Sequence, residues 1–331
     1  MAVNRPPLPL VLLFGPTASG KTALACRLCA ALASTHPLEI VSADSAQVFI
    51  GMDIGSAKPD AKTLSQYPHH LINRVTPDQS YSAALFCRDA HRVFDEIRAR
   101  GATPLLVGGS MLYVKALLGG LADLPPSDPE YRRALTLQAS RQGWPFLHQR
   151  LTQCDPITAA RLSPQDGQRI SRALEIFERT GITQSAWITQ DTARQDQISS
   201  FDCLPLSLFP QDRSVLHERI AQRFRSMLAQ GFVDEVIALR SRYRLVSDCP
   251  SMRCAGYRQI WAMLEGQLPE TQLEERALAA TRQLAKRQLT WMKGWFTQQL
   301  PVRRFDSLTT DVHKSLLAET RQFLDARRAA I

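Results

Sequence analysis

Residues 15–22 read Gly15-Pro16-Thr17-Ala18-Ser19-Gly20-Lys21-Thr22, a complete G-x-x-x-x-G-K-[ST]. Each position in that spacing has a chemical use. Glycines let the backbone wrap close to phosphate oxygens, and amide N–H groups at the start of the following helix point at them. Lys21 adds a mobile positive charge, and the hydroxyl of Thr22 suits a magnesium ion. A match arises by chance in about one chain in a hundred of this length. The apolar run just before it supplies the strand that the motif requires. These residues are expected to hold a phosphate or diphosphate together with Mg2+.

A phosphate loop alone suggests a nucleotide kinase or hydrolase. Such enzymes place an Asp at the end of a later apolar strand to hold magnesium. Here the candidate strand, 104–107, runs into Gly108-Gly109-Ser110 with no carboxylate. The carboxylate that stands out is Asp44, which opens Asp44-Ser45-Ala46-Gln47-Val48-Phe49 after a second short strand. Ligands of open parallel sheets bind beyond the carboxyl ends of the strands, so Asp44 should face the same crevice as Lys21. By itself, an Asp after a strand is more often a cap or turn residue.

The elements that must position these residues follow from pattern. Residues 9–14 form a short apolar strand, and an Ala/Leu-rich helix runs from the loop to about residue 33. A second strand covers 39–43, a helix 82–100 stops at Gly101, and a strand follows at 104–107. Strand and helix in alternation predict an α/β core, a phosphate-loop parallel sheet flanked by helices. Composition changes at 121–129, which is rich in Pro and reads as a hinge. Helical stretches follow, one of them over 166–180 and closed by Gly181, and a polar stretch at 192–200 leads to a strand at 204–209. The expected organisation is a core of residues 1–120 and 203–331 interrupted by a helical insertion of 121–202.

Several further segments then matter as a set. They are Gly51-Met52-Asp53-Ile54-Gly55-Ser56-Ala57-Lys58-Pro59, His69-His70-Leu71-Ile72, Gly108-Gly109-Ser110-Met111-Leu112-Tyr113, Gln168-Arg169-Ile170-Ser171-Arg172, Arg253-Cys254-Ala255-Gly256-Tyr257-Arg258 and Thr281-Arg282-Gln283-Leu284-Ala285-Lys286-Arg287-Gln288. With the loop and Asp44-Ser45, their order and spacing closely resemble the bacterial tRNA dimethylallyltransferases over nearly the whole chain.

The resemblance implies a definite reaction. The phosphate loop would bind dimethylallyl diphosphate rather than a nucleotide. An adenosine on the 3′ side of the anticodon, in the tRNA anticodon stem-loop, would be flipped into a channel. Asp44 would be the general base for its N6 amine, and magnesium diphosphate would leave. Ser110 aligns with a hydroxyl residue near the reacting groups. Ser110 and Ser56 stand where the family usually has Thr, Phe49 where Tyr is frequent, and Asn73 where Asp is usual. The last change puts any role for a charge at that position in doubt. His69 and His70 read as structural or RNA-proximal, because adjacent histidines chelate poorly. Arg219 and Arg223, at i and i+4 of one helix, could complete a diphosphate clamp, with a solvated helix face as the equal alternative.

Composition supports a polyanionic partner. The 331 residues carry a net charge of +9 and are 44% hydrophobic, enough for a substantial core. In the helix over 281–295, Leu284, Gln288, Trp291 and Trp295 are expected to face the core, while Arg282, Lys286 and Lys293 share another side. With Arg169, Arg172, Arg253 and Arg258, those cations read as a phosphate-tracking groove. Arg132 matches a family position close to tRNA. The expected RNA contacts are these, together with Asp44, Ser45, Ala46, Gln47, Ser110, Gln168, Ile170, Ser171, Cys254, Ala255, Gly256, Tyr257 and Arg287. No apolar run is long enough to span a bilayer, and the N-terminus lacks the pattern of a signal peptide. Cys26 and Cys29 follow the loop on a helix with no second pair, so buried thiols are expected. The chain is expected to act in the cytoplasm as a monomer. Three other readings stand beside this one. They are a nucleotide kinase or ATPase, a prenyltransferase of free AMP, which would need no insertion, and a non-catalytic RNA-binding protein, which would need no phosphate loop.

Overall fold

The computed structural model describes residues 8–119, 124–192, 201–296 and 300–328. Contacts divide the chain into two units, one of Met1–Ala116 with Ser200–Ile331 and one of Leu117–Ser199. Residues 121–123 of the expected hinge and residues 193–200 of the expected polar stretch lie outside the described set, as does the Trp295 side chain.

The first unit is built on a six-stranded parallel sheet. Its strands are β1 (Leu8–Phe14), β2 (Leu38–Ala43), β3 (His69–His70), β4 (Thr103–Gly108), β5 (Phe201–Leu208) and β6 (Arg303–Phe305), in spatial order β3-β2-β4-β1-β5-β6. Leu10 to Leu13 are successively buried at 1% exposure or less, as expected of a central strand covered on both faces. One cover is made by α1 (Lys21–Leu32) and the last helix of the chain, Val312–Arg328, whose Leu28, Leu32, Leu316 and Phe323 pack with Val11 and Leu13. The strand expected at 104–107 and the helix expected at 82–100 appear as β4 and as Ala83–Ala99, the latter capped by the Ser82 side chain.

Register sets up the site. Gly108 on β4 pairs with both Phe14 of β1 and Ala43 of β2. Three adjacent strands therefore end at one level, and the residues that follow them, Gly15, Asp44 and Gly109-Ser110, leave the sheet side by side.

The second unit is helical. Following α2 (Ala61–Gln66), α3 (Ala83–Ala99) and α4 (Met111–Gly119), it contains α5 (Pro129–Gln142), α6 (Trp144–Cys154), α7 (Pro156–Ala159), α8 (Gly167–Thr180) and α9 (Gln184–Thr192). Its core comprises Leu135, Leu147, Leu151, Ile170 and Leu174. Asp166 caps α8, and Gly181 ends it in the left-handed region, φ 70°. Glu175 is fully buried and accepts from Arg132 Nε at 3.0 Å, from Arg172 Nη1 at 2.8 Å and from the Asp128 N–H.

Back in the first unit, α10 (Arg213–Ala229), α11 (Phe232–Arg242), α12 (Tyr257–Leu264) and α13 (Leu273–Trp291) follow β5, and the last helix is α14 (Val312–Arg328). One turn of π-helix, Met292–Phe296, extends α13.

Candidate active site

The phosphate loop bridges β1 and α1 as the motif requires. Ala18 (φ 62°) and Gly20 (φ 81°) both lie in the left-handed region, the kind of backbone turn from which anion-binding nests are built. Lys21 opens α1 and its Nζ donates to the Pro16 carbonyl at 2.7 Å. Burial lowers the Lys21 pKa to about 8, Asp44 opposes that shift and Arg223 adds to it.

Asp44 leaves β2 in a tight turn. Its Oδ1 accepts from the Ala46 N–H at 2.8 Å and from the Gln47 N–H at 3.4 Å. Both readings of an Asp after a strand thus hold together, since the carboxylate is a turn residue and also lines a cavity with Lys21. The Ser110 hydroxyl donates to Ser45 Oγ at 3.0 Å and accepts from the Ser45 N–H at 2.9 Å, joining the end of β4 to the Asp44 turn.

These groups open on one cavity of about 930 Å³. Lys21, Arg223, Arg253, Arg258 and Arg287 line it, and Asp44 is its one carboxylate among the described residues. Arg223 comes from α10 with Ile220, Phe224 and Met227 on the same helix face, so a cation sits beside an apolar wall. Burial lowers the Arg223 pKa while Asp44 raises it. Thr22 and Asp44 line the cavity with Lys21 and offer a hydroxyl and a carboxylate, and no group of three His, Cys, Asp or Glu side chains that could hold a metal converges among the described residues. That donor set fits a magnesium ion held mainly by diphosphate oxygens and water.

Other expected residues fall differently. Arg219 points out of this cavity lining, with its Nη1 3.4 Å from the Ser307 carbonyl. Ile170, Ser171 and Tyr257 are buried packing residues rather than surface ones, whereas Gln47, also buried, lines the cavity beside Ala46. Gln47 accepts from Ser42 Oγ at 3.1 Å, and the Tyr257 hydroxyl donates to Glu235 at 2.7 Å. Arg132 and Arg172 are held by Glu175, and Arg169 pairs with Asp166 at 2.9 Å, while Gln168 is exposed. Cys254, Ala255 and Gly256 line the cavity, as do Ser45 and Ala46. Burial pushes the Cys254 thiol up to about 12. Burial likewise pushes up Cys26, and Cys29 to about 12.

On α13 the face expected toward the core borders the cavity instead. Leu284, Gln288 and Trp291 do share a face, but that face lines the cavity, and the core side carries Ala285, Leu289 and Met292. Arg282 and Lys286 are exposed on α13, whereas Lys293 falls in the π-turn with its ammonium 5.2 Å from the Phe209 ring centroid.

Two positioning groups escaped sequence reasoning. Glu235 on α11 accepts from the N–H groups of Asp53 (2.9 Å), Ile54 (2.6 Å) and Gly55 (3.2 Å), and so fixes the loop that brings Gly55, Ser56 and Ala57 to the cavity. Lys58 Nζ donates to Asp53 (2.6 Å), Phe49 O (2.9 Å) and Asn73 Oδ1 (2.7 Å). An amide at 73 thus does for this lysine what a carboxylate would do by charge. His69 and His70 are hydrogen-bonded to the Tyr67 carbonyl (2.6 Å) and to Glu39 (2.7 Å), consistent with structural roles.

A parallel sheet with a phosphate loop, a facing carboxylate and a cation-lined cavity defines a phosphate-loop α/β enzyme. The family model for IPP transferase matches residues 47–295. The tRNA dimethylallyltransferase of Dechloromonas aromatica is 48% identical over 98% of this chain and all of its own length, and that of Paraburkholderia phymatum is 53% identical over 88% of this chain and 91% of its own. The crystal structure of a tRNA isopentenylpyrophosphate transferase from Bacillus halodurans superposes with a TM-score of 0.66 at 31% identity, covering 97% of this chain and 99% of that one. The chain belongs to the IPP transferase family, the bacterial tRNA dimethylallyltransferases, and is a tRNA prenyltransferase. Among the described residues no helix is long and apolar enough to cross a membrane.

Proposed function

We propose that this cavity joins dimethylallyl diphosphate to the N6 amine of the adenosine immediately 3′ of the anticodon, with Asp44 as the base. The observation that carries the reading is the placement of Asp44 as the one carboxylate, among the described lining residues, in a cavity shared with Lys21 and Arg223. Asp44 is near enough to raise the pKa of both cations.

The diphosphate would sit in the loop nest, held by its N–H groups, Lys21 and Arg223. Charge develops on that group as the allylic C–O bond breaks, so fixed donors aimed at it favour the transition state over the ground state. Thr22 would hold Mg2+, which when bound neutralises charge on the leaving diphosphate. The prenyl group would lie against Ile220, Phe224 and Met227, where an apolar wall excludes water from an electron-poor carbon. The amine nitrogen attacks the first prenyl carbon, diphosphate departs and Asp44 takes the amine proton. A positioned base is worth about 10²–10⁴-fold. The Ser110–Ser45 hydroxyl pair would orient the adenine side of the reaction.

An adenine can reach such a cavity only if it leaves its stack, which favours a single-stranded loop as substrate. Exposed Arg282 and Lys286 would follow the RNA backbone, and the helical unit would add further tRNA contact. We infer a cytoplasmic enzyme that acts as a monomer. The test is incubation with labelled dimethylallyl diphosphate, Mg2+ and unmodified tRNA, with AMP and ATP as comparators. Label confined to the adenosine 3′ of the anticodon is the expected result. Label accumulating on AMP, or saturable ATP hydrolysis, would overturn the reading.

A further inference from the structure

Gln288 uses both ends of its side-chain amide, and on two different loops. The Thr17 N–H donates to its Oε1 at 2.9 Å, and its Nε2 donates to the Gly109 carbonyl at 2.9 Å. Thr17 belongs to the phosphate loop, and Gly109 immediately precedes Ser110. These loops leave neighbouring strands, β1 and β4, and their direct backbone link, Gly15 N–H to Gly108 O, is long at 3.4 Å. A helix residue 271 positions from one loop and 179 from the other therefore supplies a close link between them.

The chemistry of the link is particular. A carboxamide presents an acceptor and a donor side by side, so it reads the spacing between one N–H and one C=O. A carboxylate would face the Gly109 carbonyl with an acceptor, and an aliphatic side chain would leave both backbone groups unpaired. Room for the amide depends on Gly109 as well, since a Cβ at that position would lie 2.5 Å from Gln288 Nε2.

We propose that Gln288 is a positioning residue for prenyl transfer, its amide setting the distance between the loop that holds the donor and the Ser110–Ser45 pair beside Asp44. The proposal rests on the reading above that the phosphate loop holds the donor diphosphate. Transfer requires the amine and the prenyl carbon to approach within about 3–3.5 Å, and a misplacement of about 1 Å lowers the rate roughly 10²-fold. Loss of the link should therefore appear in kcat rather than in tRNA affinity.

The experiment is a double-mutant cycle of Gln288→Leu and Gly109→Ala, measuring kcat, the KM for each substrate, tRNA affinity and the melting temperature. Each single variant should lower kcat about 10- to 100-fold while leaving the tRNA Kd within about twofold. The double variant should be no slower than the slower single one, because both changes break the same link. A kcat within about twofold of wild type in either single variant, or losses that multiply in the double, would overturn the proposal. Should Gln288→Leu fail to melt cooperatively, Gly109→Ala decides the matter alone by the same kcat criterion. Calorimetry of inorganic diphosphate with Lys21→Ala separates the two levels. Undiminished binding there sinks the donor-loop reading, whereas lost binding with normal Gln288 variants sinks only the positioning role.

Discussion

Lys21 is held in a state that substrate should reverse. Burial lowers its pKa to about 8, Asp44 supports the charge and Arg223 opposes it, while its ammonium is satisfied meanwhile by the Pro16 carbonyl. A bound diphosphate favours the protonated form, so donor affinity should be full below pH 8 and fall as pH rises above it, by up to about tenfold per unit. Titrating dimethylallyl diphosphate calorimetrically from pH 7 to pH 10 checks this, and Lys21→Met should lose the slope. Equal slopes in both proteins would remove Lys21 from the role. At this scale the phosphate loop was fully legible, because all its chemistry lies in eight consecutive residues. Arg219 and Arg223 were not separable, since the same i, i+4 spacing takes one to the Ser307 carbonyl and the other into the cavity. Only the packing around α10 decides between them.

Helices carry the clearest lessons about facing. Periodicity grouped Leu284, Gln288 and Trp291 correctly on α13, but an apolar-looking face can border a cavity as readily as a core, and here it does. The linking role of Gln288, and Glu235 altogether, were not legible because their partners, the loops at Thr17 and at Asp53–Gly55, are remote in sequence. In the helical unit, Arg172 was expected in a phosphate-tracking groove and Arg132 close to tRNA, and both pair with buried Glu175. Burial works to raise the Glu175 pKa, but Arg172, the Asp128 N–H and Arg132 outweigh it and hold the carboxyl below its ordinary 4.5. That stabilisation is present above pH 4.5 and lost as pH falls through the lower folded value. Glu175→Ala strands two half-buried guanidinium groups and should destabilise this unit by about 3–5 kcal/mol. Thermal melting should show a lowered transition for the variant at neutral pH, and an unchanged one would mean that the network is only a solvated pair.

Over the whole molecule, a net charge of +9 is expected to favour the polyanionic tRNA. Binding should weaken steeply with salt, and Arg282→Ala combined with Lys286→Ala should flatten the slope by up to about 0.7 log units per log salt for each lost single-strand phosphate contact. A slope equal to wild type would place the RNA track elsewhere. The parallel sheet was legible from alternating strands and helices, and its consequence, three strand ends level at Phe14, Ala43 and Gly108, emerges only from register. That levelling is what brings phosphate loop and carboxylate to one cavity. The most direct test is single-turnover transfer of labelled dimethylallyl to tRNA by Asp44→Asn, whose amide oxygen still accepts from the Ala46 N–H and so keeps the turn while removing the base. Both substrates should bind as in wild type while the transfer rate falls about 10²–10⁴-fold. Transfer at the wild-type rate would contradict the account.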